Sequence, residues 1–121
     1  MKKSDAIAAL AALAQDSRLD IYRLLVQAGA AGLPAGQIGE RLRLPSATLS
    51  FHLAQLRQAG LVSFTRHGRS LVYAAEYPAM NALIGFLTDN CCNGNPAACL
   101  PAAVVSRLPT RATARANRKS A

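Results

Sequence analysis

Cysteine occurs at three positions, Cys91, Cys92 and Cys99, all inside one nine-residue stretch. Thiolates are soft ligands that select soft ions. Three on so short a length of chain invite a local explanation, convergence on one ion. Gly94 and Pro96 are turn-forming residues that can bring Cys99 back to the adjacent pair. Three sulfurs without a fourth local ligand suit an ion that favours a three-coordinate pyramid, such as As(III) or Sb(III). Structural zinc prefers four ligands, commonly completed by Cys or His, and the last histidine of the chain is His67. A disulfide between Cys91 and Cys92 is strained, because ordinary geometry needs a wider Cα separation than neighbours provide. Cys99 bridges to either neighbour more easily. The stretch therefore reads as a trivalent arsenic site, a thiol redox or reactive-sulfur switch, or a zinc or cadmium site. Asn90, Asn93, Gly94 and Asn95 make it a polar, accessible loop rather than a place for inert buried cysteines.

Other chemistry lacks its parts. No carboxylate pair is spaced for acid-base work, no glycine-rich phosphate loop appears, and both histidines fall in the first 67 residues. A thiol oxidoreductase would want Cys-x-x-Cys in a βαβ setting. The chain is not expected to be an enzyme.

The placement of charge matters more than its total of +8 over 121 residues. Arg107, Arg111, Arg115, Arg118 and Lys119 fill the end of the chain without an acid between them. Upstream, Arg41, Arg43, Arg57, Arg66 and Arg69 lie between Glu40 and Glu76 with no acidic residue among them. Such a basic stretch is the electrostatic footprint of a polyanion binder, although a solvated basic face has the same composition. Apolar runs are interrupted well short of membrane-spanning length. The N-terminus lacks a signal-peptide cleavage context and reads as the first helix of a cytoplasmic protein.

The elements that position these groups follow from periodicity. Ile7, Leu10, Ala11 and Ala14 mark a first helix over Ser4–Ala14. Ser17 and Asp20 form a capping box that opens a second helix, Ser17–Ala28, with Ile21, Leu24, Leu25 and Ala28 on one face. Pro34 starts a short third helix over Ala35–Leu42. Arg43, Leu44 and Pro45 make a turn, and a fourth helix runs over Ser46–Ala59 until Gly60 stops it. Two β-prone runs, Leu61–Arg66 and Arg69–Ala74, flank His67 and Gly68 as a hairpin. Pro78 opens a fifth helix reaching about Cys91, with Met80, Leu83, Ile84 and Leu87 as its stripe. The expected fold is mainly α with a small β-hairpin, a winged helix-turn-helix. Residues 1–99 are read as one domain and residues 100–121 as a basic, disordered tail.

In helix-turn-helix geometry the second helix of the pair reads DNA. On a 100° wheel, Leu49, Leu53 and Leu56 face the core. Ala47, Phe51, Ala54 and Gln58 point away, flanked by Thr48, Ser50 and Gln55. Phe51 among small and hydroxylated residues is odd for a solvent face; it suits base edges, where apolar groups meet thymine methyls and polar ones meet donors and acceptors. Packing of Phe51 on the hairpin or on a partner subunit is the alternative. Ser46, Ala47 and Ser50 let the backbone approach the groove. His52 borders the apolar stripe and reads as a hydrogen-bonded structural histidine. Arg66 and Arg69 flank the hairpin tip, placed for phosphates or the minor groove; Arg41, Arg43 and Arg57 are further phosphate candidates. The expected DNA-contacting set is Ser46, Ala47, Thr48, Ser50, Phe51, Gln55, Arg66 and Arg69. A winged helix that binds a protein and holds metal for structure is the rival class, and a fold dependent on metal would mark it.

Three segments carry a resemblance: Leu13–Leu25, Leu44–Val62 with its Ser-x-His-Leu-x-x-Leu-x-x-Ala-Gly-Leu-Val pattern, and Arg66–Tyr73. Together they resemble the bacterial ArsR/SmtB family of metal-responsive repressors over residues 4 to about 99. The resemblance implies a homodimer on double-stranded operator DNA, with first and fifth helices packed across a two-fold axis. The apolar stripes on both helices agree, being large for one small domain to cover. Two effector arrangements of that family are absent: no Cys-x-Cys lies in Ala35–Ala59, and no histidine follows His67 to join Asp89. Cys91, Cys92 and Cys99 are similar to a subgroup that binds trivalent arsenic through a vicinal pair and a third cysteine beyond the fifth helix. What the resemblance implies is a repressor released by arsenite or antimonite, without an organic cofactor.

Overall fold

The computed structural model describes residues 1–94; the expected boundary at residue 99 and the tail lie outside them. Met1–Leu87 form one compact unit, and the chain from Thr88 onward belongs to a second.

Five helices and a three-stranded sheet make up the first unit: α1 (Lys3–Leu13), α2 (Asp16–Ala28), β1 (Leu33–Pro34), α3 (Ala35–Leu42), α4 (Ser46–Gln58), β2 (Val62–His67), β3 (Ser70–Ala75) and α5 (Tyr77–Leu87). This is the expected winged helix-turn-helix, with one strand more than the sequence suggested. β1 pairs antiparallel with β3 through Leu33 opposite Tyr73 and Pro34 opposite Val72, giving the order β1-β3-β2. Gly32 makes that approach feasible: its φ is +71°, and a Cβ there would run into the Tyr73 carbonyl oxygen.

The core is mainly aliphatic, with Tyr22 buried in it. Ile21, Leu25, Ile38, Leu53, Leu56 and Leu61 are fully buried, joined by Leu49, Val62, Ala75 and Leu83. The buried residues of α1 are small, Ala6, Ala9 and Ala12, with Leu13 packed partly buried against the core. Its predicted stripe points elsewhere, with Ile7 57% and Leu10 42% exposed.

Helix ends explain the remaining differences. α2 opens at Asp16, one residue early, because Gln15, not Ser17, is its cap: the Gln15 side chain accepts from the Arg18 backbone N–H at 2.9 Å. A glutamine side chain reaches that N–H as a shorter cap does, so the Ser17/Asp20 box is not used. α4 closes as expected. Gly60 takes φ +77°, its N–H donates to the Arg57 carbonyl and the Leu61 N–H to the Leu56 carbonyl, a Schellman end sealed by two buried leucines. α5 stops at Leu87, short of Cys91; no apolar side chain from Thr88 to Asn90 extends its stripe.

Candidate functional site

The turn between α3 and α4 is built from backbone hydrogen bonds. Arg43 adopts the left-handed conformation (φ 55°, ψ 45°), while the Leu44 N–H reaches back 2.9 Å to the Gly39 carbonyl. A Cβ on Gly39 would press on the Leu44 carbonyl and the Leu49 side chain, both at 3.2 Å. The residue type at 39 therefore sets how tightly the two helices meet. Pro45 then caps α4 in extended conformation.

α4 is anchored by Leu49, His52, Leu53 and Leu56, all buried. Its other face presents Ser46, Ala47, Thr48, Ser50 and Phe51 to solvent, with Gln55 half-buried. Phe51 is 57% exposed; its ring meets the His52 ring edge-on at 5.7 Å. Contact between α4 and the hairpin is made instead by Arg57, whose guanidinium lies 4.9 Å from the Phe64 ring centroid. Phe64 in turn pairs with Tyr73 across the strands at 5.5 Å. Arg57 thus links α4 to the hairpin while remaining exposed.

The wing tip lies one residue later than expected. His67 pairs with Ser70, leaving Gly68 and Arg69 as the two-residue loop, with Gly68 at φ +63°. Arg69 is therefore in the tip itself and Arg66 on the strand below it; both are exposed. His67 meets the Thr65 hydroxyl at 3.0 Å.

His52 is the structural histidine the sequence suggested. Its Nδ1 accepts from Arg18 Nη1 at 3.3 Å. Burial and then the Arg18 charge push its pKa below the ordinary histidine value. Arg18 was not singled out by the sequence, because its partners are six and 34 residues away, beyond any local pattern.

Within the second unit, Cys91–Gly94 form a kinked 3-10 segment, not a regular turn of helix, whose Cys91 N–H donates to the Thr88 carbonyl at 2.9 Å. Asn90, Cys92 and Asn93 take left-handed φ values of 58°, 52° and 56°. Asparagine tolerates this region better than most residues; cysteine adopts it at a small strain. Cys91 is half-buried and Cys92 exposed. Two soft donors on consecutive residues fit the front of a thiolate site; Cys99, the third, lies outside the described residues. Among the described residues no three His, Cys, Asp or Glu side chains cluster as metal ligands. No helix among them is long and apolar enough to cross a membrane.

A short helix, a tight turn, a second helix with its polar face outward and a basic two-stranded wing define a winged helix-turn-helix transcriptional regulator. Residues 13–63 match a family described as a helix-turn-helix domain. The transcriptional activator HlyU of Vibrio cholerae is 32% identical over 90 residues, 74% of this chain and 81% of that protein. Two solved structures of V. cholerae HlyU, the second described as reduced, give TM-scores of 0.58 and 0.57 at 34% and 30% identity. They cover 72% and 74% of this chain and 97% and 90% of theirs. The homodimeric winged helix-turn-helix domain of Mb0332 from Mycobacterium bovis, described as a possible ArsR-family regulator, is 28% identical with a TM-score of 0.58. It covers 72% of this chain and 81% of that one. An ArsR-like regulator from Rhodococcus sp. RHA1 shares the fold at TM-score 0.65 and 24% identity, over 79% of this chain and 88% of its own. The chain belongs to the family of helix-turn-helix transcriptional regulators that includes HlyU, and it shares the fold of the ArsR-like neighbours.

Proposed function

We propose that the protein is a repressor that leaves its operator when Cys91, Cys92 and Cys99 take up trivalent arsenic, or antimony in its place. The observation that carries the reading is the confinement of every cysteine to one short segment behind the winged helix, with Cys91 and Cys92 in a turn outside the core. The ion supplies three bonds to sulfur and so a cross-link within that segment. Cys91 and Cys92 hold it at one end of the loop, and Cys99 closes the loop.

The DNA contacts of this reading are Ser46, Ala47, Thr48, Ser50, Phe51 and Gln55 on α4 and Arg66 and Arg69 on the wing. A second copy of the chain packs through α1 and α5. Support comes from the apolar side chains these helices leave exposed, Ile7 and Leu10 on one, Ile84, Phe86 and Leu87 on the other, and from the homodimeric Mb0332 domain. The dimer sets two reading helices one DNA turn apart, about 34 Å. Constraint of the segment that continues α5 shifts this interface and with it the spacing of the two helices. A coupling of a few kcal/mol lowers operator affinity roughly 100-fold. Repression belongs to this reading; HlyU itself is named an activator.

A second reading rests on the HlyU structure described as reduced: the same cysteines respond to oxidation, with Cys99 joined to one of the pair. Fluorescence anisotropy of the reduced protein on DNA from upstream of its own gene separates the two. Release at near-stoichiometric arsenite, lost in Cys91→Ser, Cys92→Ser or Cys99→Ser with DNA binding intact, supports the arsenic site. Release by an oxidant but not by arsenite moves the effector to redox chemistry. Release by zinc or cadmium alone moves it to those ions. Absence of DNA binding overturns the whole reading.

A further inference from the structure

We infer that Arg18 is a positioning residue for DNA reading, its guanidinium tying the last turn of α1 to His52 on α4 and so fixing the orientation of the reading helix. The inference rests on the reading of α4 as the DNA-contacting element.

Two hydrogen bonds from one side chain make the tie. Arg18 Nε donates to the Ala12 carbonyl at 2.7 Å, and Nη1 donates to His52 Nδ1 at 3.3 Å. Ala12 belongs to the last turn of α1, whose carbonyls have no partner within the helix. Arg18 itself is set by the cap of α2, where its backbone N–H is held by Gln15. Three helices therefore meet at one guanidinium.

Buried Leu49, Leu53 and Leu56 hold α4 on the core, but the rim of its crossing with α1 has little apolar packing. The α1–α4 junction is an open concavity of about 600 Å³, lined by alanines of α1, Arg18, and Gln55 and Gln58 of α4. Alanine side chains bring little apolar area to such a crossing, so a directional polar contact has more say in its angle. Gln55 lies on the proposed DNA face and Phe51 edges onto the His52 ring. A turn of His52 is therefore felt at Phe51, a proposed DNA contact.

The tie also has a required protonation state. Guanidinium nitrogens only donate, so the bond exists only while His52 Nδ1 carries a lone pair and the ring is neutral with its proton on Nε2. A proton on Nδ1 replaces the hydrogen bond with two cations facing each other. On α1, α2, α3 and β2, the elements packed against α4, Arg18 is the charged group whose field bears on the imidazole among the described residues. Neutral His52 is thus the reading-competent form, and acid loosens the helix.

The test uses the full chain, dimer included, on DNA from upstream of its own gene, with His67→Asn in every protein to remove the other histidine. Affinity and thermal melting are measured at about pH 8 and about pH 4.5, the lower point set well under the ordinary histidine value because burial and then Arg18 lower that of His52. His52→Asn places an amide oxygen near the Nδ1 position and takes no proton. The parent is expected to lose affinity at the lower pH by about tenfold, the size of one hydrogen bond to a charged group, while His52→Asn has the same affinity at both. Arg18→Lys keeps the charge but not the planar fork; it is expected to weaken binding at the higher pH by about tenfold while remaining folded. A residue that only stabilises the fold would shift melting and leave the pH profile of binding in place. Equal pH profiles for parent and His52→Asn overturn the inference, whether or not Arg18→Lys folds. A parent that binds no DNA overturns the reading of α4 instead.

Discussion

The Arg57 guanidinium stacks over the Phe64 ring at 4.9 Å, joining the last turn of the reading helix to the first strand of the wing. This cation–π contact adds to the core packing of Val62 with the α4 leucines in coupling the two proposed DNA-contacting elements, and it is reinforced where Phe64 lies against Tyr73. An exposed contact of this kind contributes roughly 0.5–1 kcal/mol. Arg57→Ala is expected to lower stability by that amount and to weaken operator binding by misaligning the wing. The dependence of affinity on salt separates this role from a phosphate contact. Loss of one phosphate contact reduces the salt slope by about 1; Arg57→Ala should leave it unchanged, whereas Arg69→Ala at the wing tip should reduce it.

Phe51 and Leu53 sit two residues apart on α4 with opposite environments, 57% and 2% exposed. Truncation of the exposed ring removes little from the core. Phe51→Ala should therefore stay within about 0.5 kcal/mol of the parent in denaturant unfolding. Its operator affinity should fall by about 1–3 kcal/mol, with relaxed preference at the base pair it meets. Leu53→Ala leaves a cavity and should cost about 2–5 kcal/mol of stability. If Phe51→Ala unfolds like Leu53→Ala, the ring is a packing residue and the assignment of that face to DNA is wrong.

Where local pattern decides structure, the sequence was sufficient. Leu49, Leu53 and Leu56 recur at helical spacing and are buried, and Gly60 ends α4 at the predicted place because few other residues adopt its positive φ without strain. What escaped depends on partners distant along the chain. β1 is two residues long and exists through Leu33 meeting Tyr73, so it has no periodicity of its own. Arg18 gains its role from an α4 imidazole 34 residues away. The apolar stripe of α1 was visible, yet the chain's own core takes the alanines instead, because small residues permit close helix approach and the larger ones are left for another surface. On the cysteines, sequence showed the chemistry available; the described turn adds the local conformation of Cys91 and Cys92 alone.

α1 and α5 pack on each other within the chain and still expose Ile7, Leu10, Ile84, Phe86 and Leu87. Burial of a side chain of this size contributes about 1.5–3 kcal/mol when it leaves water completely, so one charge placed in such a patch opposes association strongly. Ile7→Asp and Leu87→Asp are expected to convert a dimer to a monomer in size-exclusion chromatography with light scattering. Both positions are exposed in the single chain, and the far-ultraviolet circular dichroism should remain that of the parent. Operator affinity should collapse with the dimer, since a monomer reads one half-site. An unchanged mass for both variants would move the interface away from these helices.

Two tyrosines illustrate how burial of a hydroxyl acts in opposite directions. The Tyr77 hydroxyl donates 2.8 Å to the Val26 carbonyl and so ties α5 to α2 across 51 residues of sequence. The Tyr22 hydroxyl is buried without a hydrogen-bond partner among the described residues. Burial, and then Tyr77, raises its pKa above the ordinary tyrosine value, so the neutral phenol is the form the core holds. A buried donor left unpaired is destabilising by about 1–3 kcal/mol, whereas a satisfied one contributes about 1 kcal/mol. Tyr22→Phe should therefore be neutral or raise stability, and Tyr77→Phe should lower it by about 1 kcal/mol. In thermal melts that difference is roughly 4–8 °C per kcal/mol for a unit of this size. A Tyr22→Phe variant that melts lower than the parent would mean that the hydroxyl has a partner, a buried water being the simplest, and that α2 is held there by a polar contact rather than by packing alone.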